Sequence, residues 1–168
     1  IEVNTEILFR YTDQYHKPVI FVVNQLDHEK SNFEHTVDHA KESFGDKVVI
    51  VQYPITQGPS FNAIIDVLRM KMYSWGPQGG VPTISEIPAS EKEKADELHN
   101  ILVEAAALND PELIELFFEK GELNEEELRR GIRAGLIARD MFPVFCVSAK
   151  KEMAIRRLLE FLGLIVPN

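Results

Sequence analysis

Two short polar clusters carry the side chains best suited to chemistry: Asn24-Gln25-Leu26-Asp27 and Ser148-Ala149-Lys150. In the first, a carboxylate lies three residues after an amide. An ionised Asp27 is acceptor-only and can take two adjacent N–H donors. Guanine presents such a pair on its edge and adenine does not, while Asn24 can fix the loop and touch the base. The same four residues also read as an Asx-turn that simply ends a strand.

Each cluster closes an apolar run that must position it. Residues 19–23 (Val-Ile-Phe-Val-Val) precede the first, and residues 142–147 (Phe-Pro-Val-Phe-Cys-Val) precede the second. Short unbroken apolar runs bounded by turn signals predict strands buried on both faces, as in a parallel sheet. Polar residues just past the carboxyl ends of such strands lie where open α/β sheets bind ligands. A helical pattern follows each run. If the two strands are adjacent and parallel, both polar loops open onto one crevice.

The intervening elements are legible from spacing. Val3, Ile7, Leu8 and Tyr11 predict one face of a helix over residues 2–15. It leads through His16-Lys17-Pro18 into the first strand, either as half of a βαβ unit whose preceding strand is not in this sequence or as a plain α-to-β connection. Ser31 as N-cap and Glu34 at N3 predict a capping box. The helix they open carries Phe33, Val37, Ala40 and Phe44 on one face, and Gly45 stops it from a left-handed position. Residues 48–53 predict a strand, 61–75 one or two more, 76–80 (Gly-Pro-Gln-Gly-Gly) a hairpin or loop, and 81–87 another strand. A second capping box, Ser90 with Glu93, opens a helix faced by Ala95, Leu98, Ile101, Leu102, Ala105 and Leu108. Asp110-Pro111 starts a further helix that Gly121 stops. Asn124 with Glu127 caps a third, striped by Leu128, Ile132 and Leu136. A closing helix over about 151–165 ends at Pro167. His35 and His39 stand four apart on a polar face with no third ligand following, so we assign no metal.

Length and composition set the limits. A chain of 168 residues suits one domain, or a small domain carrying an insertion. Its formal net charge of −9 argues against a generic nucleic-acid surface and allows a basic protein partner. Residues 90–140 hold fourteen acidic against seven basic side chains, so most of the excess lies there, as a solvated helical surface or as a docking face. The single Cys146 excludes an internal disulfide and fits a reducing cytosol. No apolar run reaches membrane-spanning length and no signal peptide is visible, so no membrane role is expected. The chain starts at Ile1 rather than Met, as a cut-out of a longer protein would.

These residues resemble the guanine-nucleotide domain of translational GTPases, most closely elongation factor G. Asn24-Gln25-Leu26-Asp27 looks like that family's Asn-Lys-x-Asp motif, and Ser148-Ala149-Lys150 like its second base-contacting loop. Ile64-Ile65-Asp66, Met70-Lys71, Trp75, Glu86-Ile87-Pro88, Glu104-Ala105-Ala106 and residues 131–135 are similar to the family's inserted subdomain, and Pro143-Val144-Phe145-Cys146 to its approach to the Ser-Ala loop. The resemblance implies an α/β fold: a partial P-loop-GTPase-type parallel sheet, formed by residues 1–46 and 141–168, with an inserted α+β subdomain at 47–140. It implies guanine binding by Asn24, Gln25, Asp27, Ser148, Ala149 and Lys150. In that scheme Asp27 takes the two guanine donors, the Ala149 N–H donates to the guanine carbonyl, and the Lys150 stem covers the base. It implies a cytoplasmic protein of ribosomal translocation that binds GTP or GDP, with Mg²⁺ in the parent protein. The acidic helices would meet the ribosomal stalk protein, with Glu112, Glu115 and Glu119 as the first candidates.

Some of the family's parts are not in this sequence. It has no Gly-x-x-x-x-Gly-Lys-Ser/Thr loop and no Mg²⁺ aspartate motif. Phosphoryl transfer rests on those parts, so this stretch alone is expected neither to hydrolyse GTP nor to hold a nucleotide tightly. Gln25 stands where the family has lysine, and Lys151-Glu152-Met153-Ala154 replaces its Asn and Gly residues, which suits a divergent relative with weaker GTP binding. A ribosomal-protection GTPase of the tetracycline-resistance type shares the pattern, and a stalk-docking module without nucleotide binding is the other alternative.

Overall fold

The computed structural model describes residues 2–165. The predicted stop at Pro167, and the terminal limits 1 and 168 of the outer division, lie outside them. In chain order the elements are α1 (Val3–Gln14), β1 (Phe21–Val23), α2 (Phe33–Phe44), β2 (Val48–Ile50), β3 (Gln52–Pro54), β4 (Ala63–Asp66), β5 (Lys71–Ser74), β6 (Thr83–Ser85), α3 (Ala89–Ala107), α4 (Pro111–Lys120), α5 (Glu125–Ala138), β7 (Phe142–Cys146) and α6 (Ile155–Ile165).

Two sheets divide the strands. The first is parallel, in the order β1-β7-β2, with Val23 beside Cys146 and Ile50 beside Val144. The second is an antiparallel meander, β3-β4-β5-β6. The fold is therefore α/β, a parallel sheet with an additional antiparallel sheet and helices, as expected. The strand predicted over 48–53 is two strands, because the chain changes sheets at Val51. The Val51 N–H donates to Val144 O (3.0 Å), while its carbonyl accepts from Val67 N (2.9 Å).

β7 is buried along its whole length, as its apolar run predicts. β1 is shorter than predicted and only half-buried, with Val22 42% exposed, because it lies at the edge of the described sheet. The predicted apolar face of α1 does not reach the core either. Val3, Ile7, Leu8 and Tyr11 are exposed, and the helix is held instead by Phe9, whose ring packs on Phe44 (4.3 Å) and edge-on to Phe142 (5.4 Å). Arg139 lies over both Phe9 and Phe142, donates to Lys17 O and pairs with Asp13.

Several helix boundaries move for identifiable reasons. Asn32, not Ser31, caps α2, accepting from His35 N (3.0 Å), because the Ser31 hydroxyl is committed elsewhere. Gly45 ends α2 at φ 86°, yet with an extended ψ of −174° rather than a left-handed helical one. α3 begins at Ala89 behind Pro88, whose ring pre-sets the entry, so the Ser90–Glu93 box does not form. Its buried face is Ala95, Leu102, Val103, Ala106 and Ala107, leaving Ile101 and Leu108 exposed. The alanines face inward because α5 comes very close: a Cβ on Gly131 would sit 2.5 Å from Ala106 O. The caps at Asp110, Gly121 and Asn124–Glu127 form as predicted, and Leu128, Ile132 and Leu136 are buried. α6 starts at Ile155, four residues late, because a tight turn occupies the preceding stretch.

A buried polar cluster ties the antiparallel sheet to α6. Asp66 of β4 is fully buried and pairs with the buried Arg157, while its other oxygen accepts from Arg69 N (2.9 Å). Arg69 in turn reaches Glu125 (2.9 Å) and Glu160 (2.6 Å). Removing one partner of such a pair leaves an uncompensated buried charge. Arg157→Ala is expected to cost about 3–5 kcal/mol in urea unfolding; a loss below about 1 kcal/mol would show that water reaches Asp66.

Candidate functional site

The parallel register fixes where the two polar clusters stand. β1 and β7 end side by side, so residues 24–27 and 148–150 leave the same edge of the sheet. The Val147 N–H donates to Val23 O (2.9 Å), which carries the pairing one step past the strands. Asp27 and Ser148, 121 residues apart in sequence, then meet: the Ser148 hydroxyl donates to Asp27 Oδ1 at 2.6 Å. Ala149 N donates to Asn24 Oδ1 at 3.0 Å.

Leu26 organises the first loop from beneath. It is fully buried, and its carbonyl accepts from Gly58 N (2.8 Å) and from the Ser31 hydroxyl (3.0 Å). The same hydroxyl accepts from Gly58 N (3.1 Å), and this is the commitment that keeps Ser31 from capping α2. With Leu26 pinned inward, Asn24 and Gln25 face solvent and Asp27 is half-buried. Gln25 itself takes a left-handed backbone, φ 63°.

The second loop is a short reversal. Ser148 N donates to Met153 O (3.2 Å), Met153 N to Ser148 O (3.0 Å), and Glu152 N to Ala149 O (3.2 Å). Met153 is buried, and Glu152 and Ala154 sit at φ 54° and 65°. Ala149 and Lys150 are exposed at its tip, and Ser148 is fully buried at its base. Sequence patterns missed Leu26, Ser31, Gly58 and Met153 as parts of this site. Of these, only Gly58 carries a local signal, as the first residue of the turn dipeptide Gly58-Pro59.

Asn24, Gln25, Asp27, His28 and Lys150 line an open cleft of about 450 Å³, within the range of small-ligand sites. The hydrogen bond from Ser148 holds the Asp27 carboxyl below its ordinary range, and the charges of Lys151 and Lys150 act in the same direction. Asp27 is thus an ionised acceptor at neutral pH, with one oxygen held by Ser148. Its free oxygen can accept an N–H donor from a ligand in the cleft. The N–H of Ala149, expected from the sequence to meet a guanine carbonyl, is engaged by Asn24 in this structure. Among the described residues no group of three or more His, Cys, Asp or Glu could hold a metal ion. Cys146 is fully buried and its thiol is pushed well up by that burial, so it has no reactive thiolate. Glu112, Glu115 and Glu119 are exposed on α4, far in sequence from the cleft, and Glu112 pairs with Arg130 (2.6 Å).

Known proteins share this architecture. The family model described as "Elongation factor Tu GTP binding domain" matches residues 1–168. A crystal structure of a protein from Thermus thermophilus aligns with 100% of this chain at a TM-score of 0.88 and 22% sequence identity. The match takes in 25% of that protein, so this chain spans about a quarter of its length. At that identity the likeness speaks to the fold alone.

The Ser148–Asp27 bond has a pH signature. Because the folded pKa of Asp27 lies below its ordinary 3.8, the stabilisation is complete above that value and is lost as the pH falls through the folded pKa. Ser148→Ala is expected to cost about 1 kcal/mol at neutral pH, allowing for solvent screening, and clearly less in strong acid. An unfolding free-energy difference that stays constant with pH would mean that Asp27 does not feel Ser148.

Proposed function

This chain belongs to the family of the elongation factor Tu GTP binding domain, and we propose that it is the guanine-reading half of the GTP-binding domain in an elongation-factor-G-like translation factor. The observation that carries the proposal is the meeting of the two loops, Asp27 on Ser148 and Asn24 beside Ala149. The free oxygen of Asp27, together with the one now shared with Ser148, takes the N1–H and 2-amino donors of guanine. The Ala149 N–H, released by Asn24, donates to the base carbonyl. Gln25 and the stem of Lys150 flank the base. The phosphates and Mg²⁺ are held by residues outside this sequence, and turnover of GTP belongs to the intact polypeptide. In this proposal residues 47–140 are the inserted unit, although its first strand, β2, joins the parallel sheet on the β7 side.

Docking to the ribosome is the second part of the proposal. The acidic excess of residues 90–140 and the exposed Glu115 and Glu119 of α4 suit a basic face of the ribosomal stalk protein. No helix among the described residues is long and apolar enough to cross a membrane. Action at the ribosome in the cytoplasm is the context this proposal gives the chain. The ribosomal-protection alternative has no observation here that favours it over translocation.

Two experiments test these parts. Xanthine carries a carbonyl where guanine has its 2-amino group, and an amide can donate to it where a carboxylate cannot. Asp27→Asn in the intact polypeptide is expected to weaken GTP binding by about 30-fold and to improve XTP binding. Unchanged preference would remove Asp27 from the base site. In a pull-down, stalk protein should be retained at low salt, be released at raised salt, and be lost with Glu115→Lys/Glu119→Lys. Retention unaffected by salt and by the charge reversal would contradict the docking face.

A further inference from the structure

The loop after β5 touches the base-reading reversal backbone to backbone. Trp75 Nε1 donates to Gly80 O (3.2 Å), and Gly79 N to Gly76 O (3.0 Å), which folds residues 76–80 into a compact turn. The outer side of this turn meets Lys151 and Glu152. Gly80 N lies 3.4 Å from Glu152 O. A Cβ on Gly79 would overlap the carbonyl oxygen of Lys151 and lie 3.0 Å from its carbonyl carbon. Lys151 is fixed on two further sides. Its N–H donates to the Ser148 hydroxyl (3.2 Å), the same group that holds Asp27, and its ammonium donates to Pro59 O (3.1 Å).

We propose that Gly79 is a positioning residue for guanine recognition: its missing side chain lets the 76–80 loop seat the Lys151 carbonyl, and so sets where the Ala149 N–H points. The inference rests on the base-reading role proposed above. Ala149 and Lys151 belong to one short reversal closed by the Glu152–Ala149 and Ser148–Met153 bonds, so a push on the Lys151 peptide is passed to Ala149. Asp27 is held through Ser148, which is fully buried at the base of the reversal and anchored by its own two backbone bonds to Met153 as well as by Lys151. The consequence is selective. Crowding at Gly79 loosens the contact to the guanine carbonyl and spares the contacts to N1–H and the 2-amino group.

Glycine at φ 68° is itself strained by any side chain, and Gly80 supplies the matched control. It has φ 85°, but a Cβ there meets nothing within 4 Å. Gly79→Ala and Gly80→Ala therefore share the backbone cost and differ in the clash. Binding of GDP, IDP and 6-thio-GDP to the intact polypeptide separates the contacts. IDP lacks the 2-amino donor, whereas 6-thio-GDP keeps both donors and weakens the acceptor at position 6. Wild type is expected to prefer GDP over both. Gly79→Ala should lower the GDP over 6-thio-GDP preference by roughly three- to tenfold, the worth of one hydrogen bond, while the GDP over IDP preference holds. Gly80→Ala should leave both preferences as in wild type. Should Gly79→Ala not fold, Trp75→Phe, which frees the loop from its indole bond without a clash, must lower the same preference by a smaller factor. Gly79→Ala behaving like Gly80→Ala, or an unchanged Trp75→Phe, overturns the positioning role. A wild type indifferent to both analogues overturns the base-reading role, and this proposal with it.

Discussion

The parallel pairing of β1 with β7 is the constraint on which this molecule depends. It aligns Val23 with Cys146, so two polar loops more than a hundred residues apart leave the sheet at one edge. Closing a loop of that length costs entropy that grows only with the logarithm of its length, so the pairing tolerates a large insertion. It still requires that the inserted residues form stable structure of their own. The intervening residues form a four-stranded sheet with helices α3, α4 and α5.

The antiparallel sheet also supports the site directly. Gly58 and Pro59, between β3 and β4, hold Leu26 and Lys151; Gly79 and Gly80, between β5 and β6, abut Lys151 and Glu152. The first of these loops therefore braces both sides of the cleft, and the second braces the Lys151 side. The sheet is in turn tied to the parallel one at Val51 and to α6 through Asp66 and Arg157. A buried ion pair adds little net stability over an apolar pair of the same shape, yet it tolerates only its own geometry. At this position it joins β4 to α6.

Much of this was legible in the sequence, and the parts that were not have physical causes. The run of β7 could be read because burial in a parallel sheet demands continuous apolar side chains, whereas the similar run before Asn24 ends in an edge strand that is only half-buried. The caps at Asp110 and Asn124 were legible because they are local. Ser31 and Ser90 look equally good on local grounds, but tertiary hydrogen bonding claimed the first and Pro88 pre-empted the second. The stripes on α1 and α3 misled for another reason. Periodicity gives a helix its apolar face without saying which residues find a neighbour, and Phe9 and Ala106 did so in place of Leu8 and Leu108. The buttresses Leu26, Gly58 and Gly79 have no chemistry of their own, so no motif of reactive types could point to them.

The central claim is that both loops clasp one guanine base. The most direct measurement is a crystal structure of the intact polypeptide with GDP bound. The account predicts the Asp27 carboxylate on the N1–H and 2-amino group, with the Ala149 N–H moved from Asn24 to the base carbonyl. A base seated elsewhere, with the Asn24–Ala149 bond still closed, would contradict it.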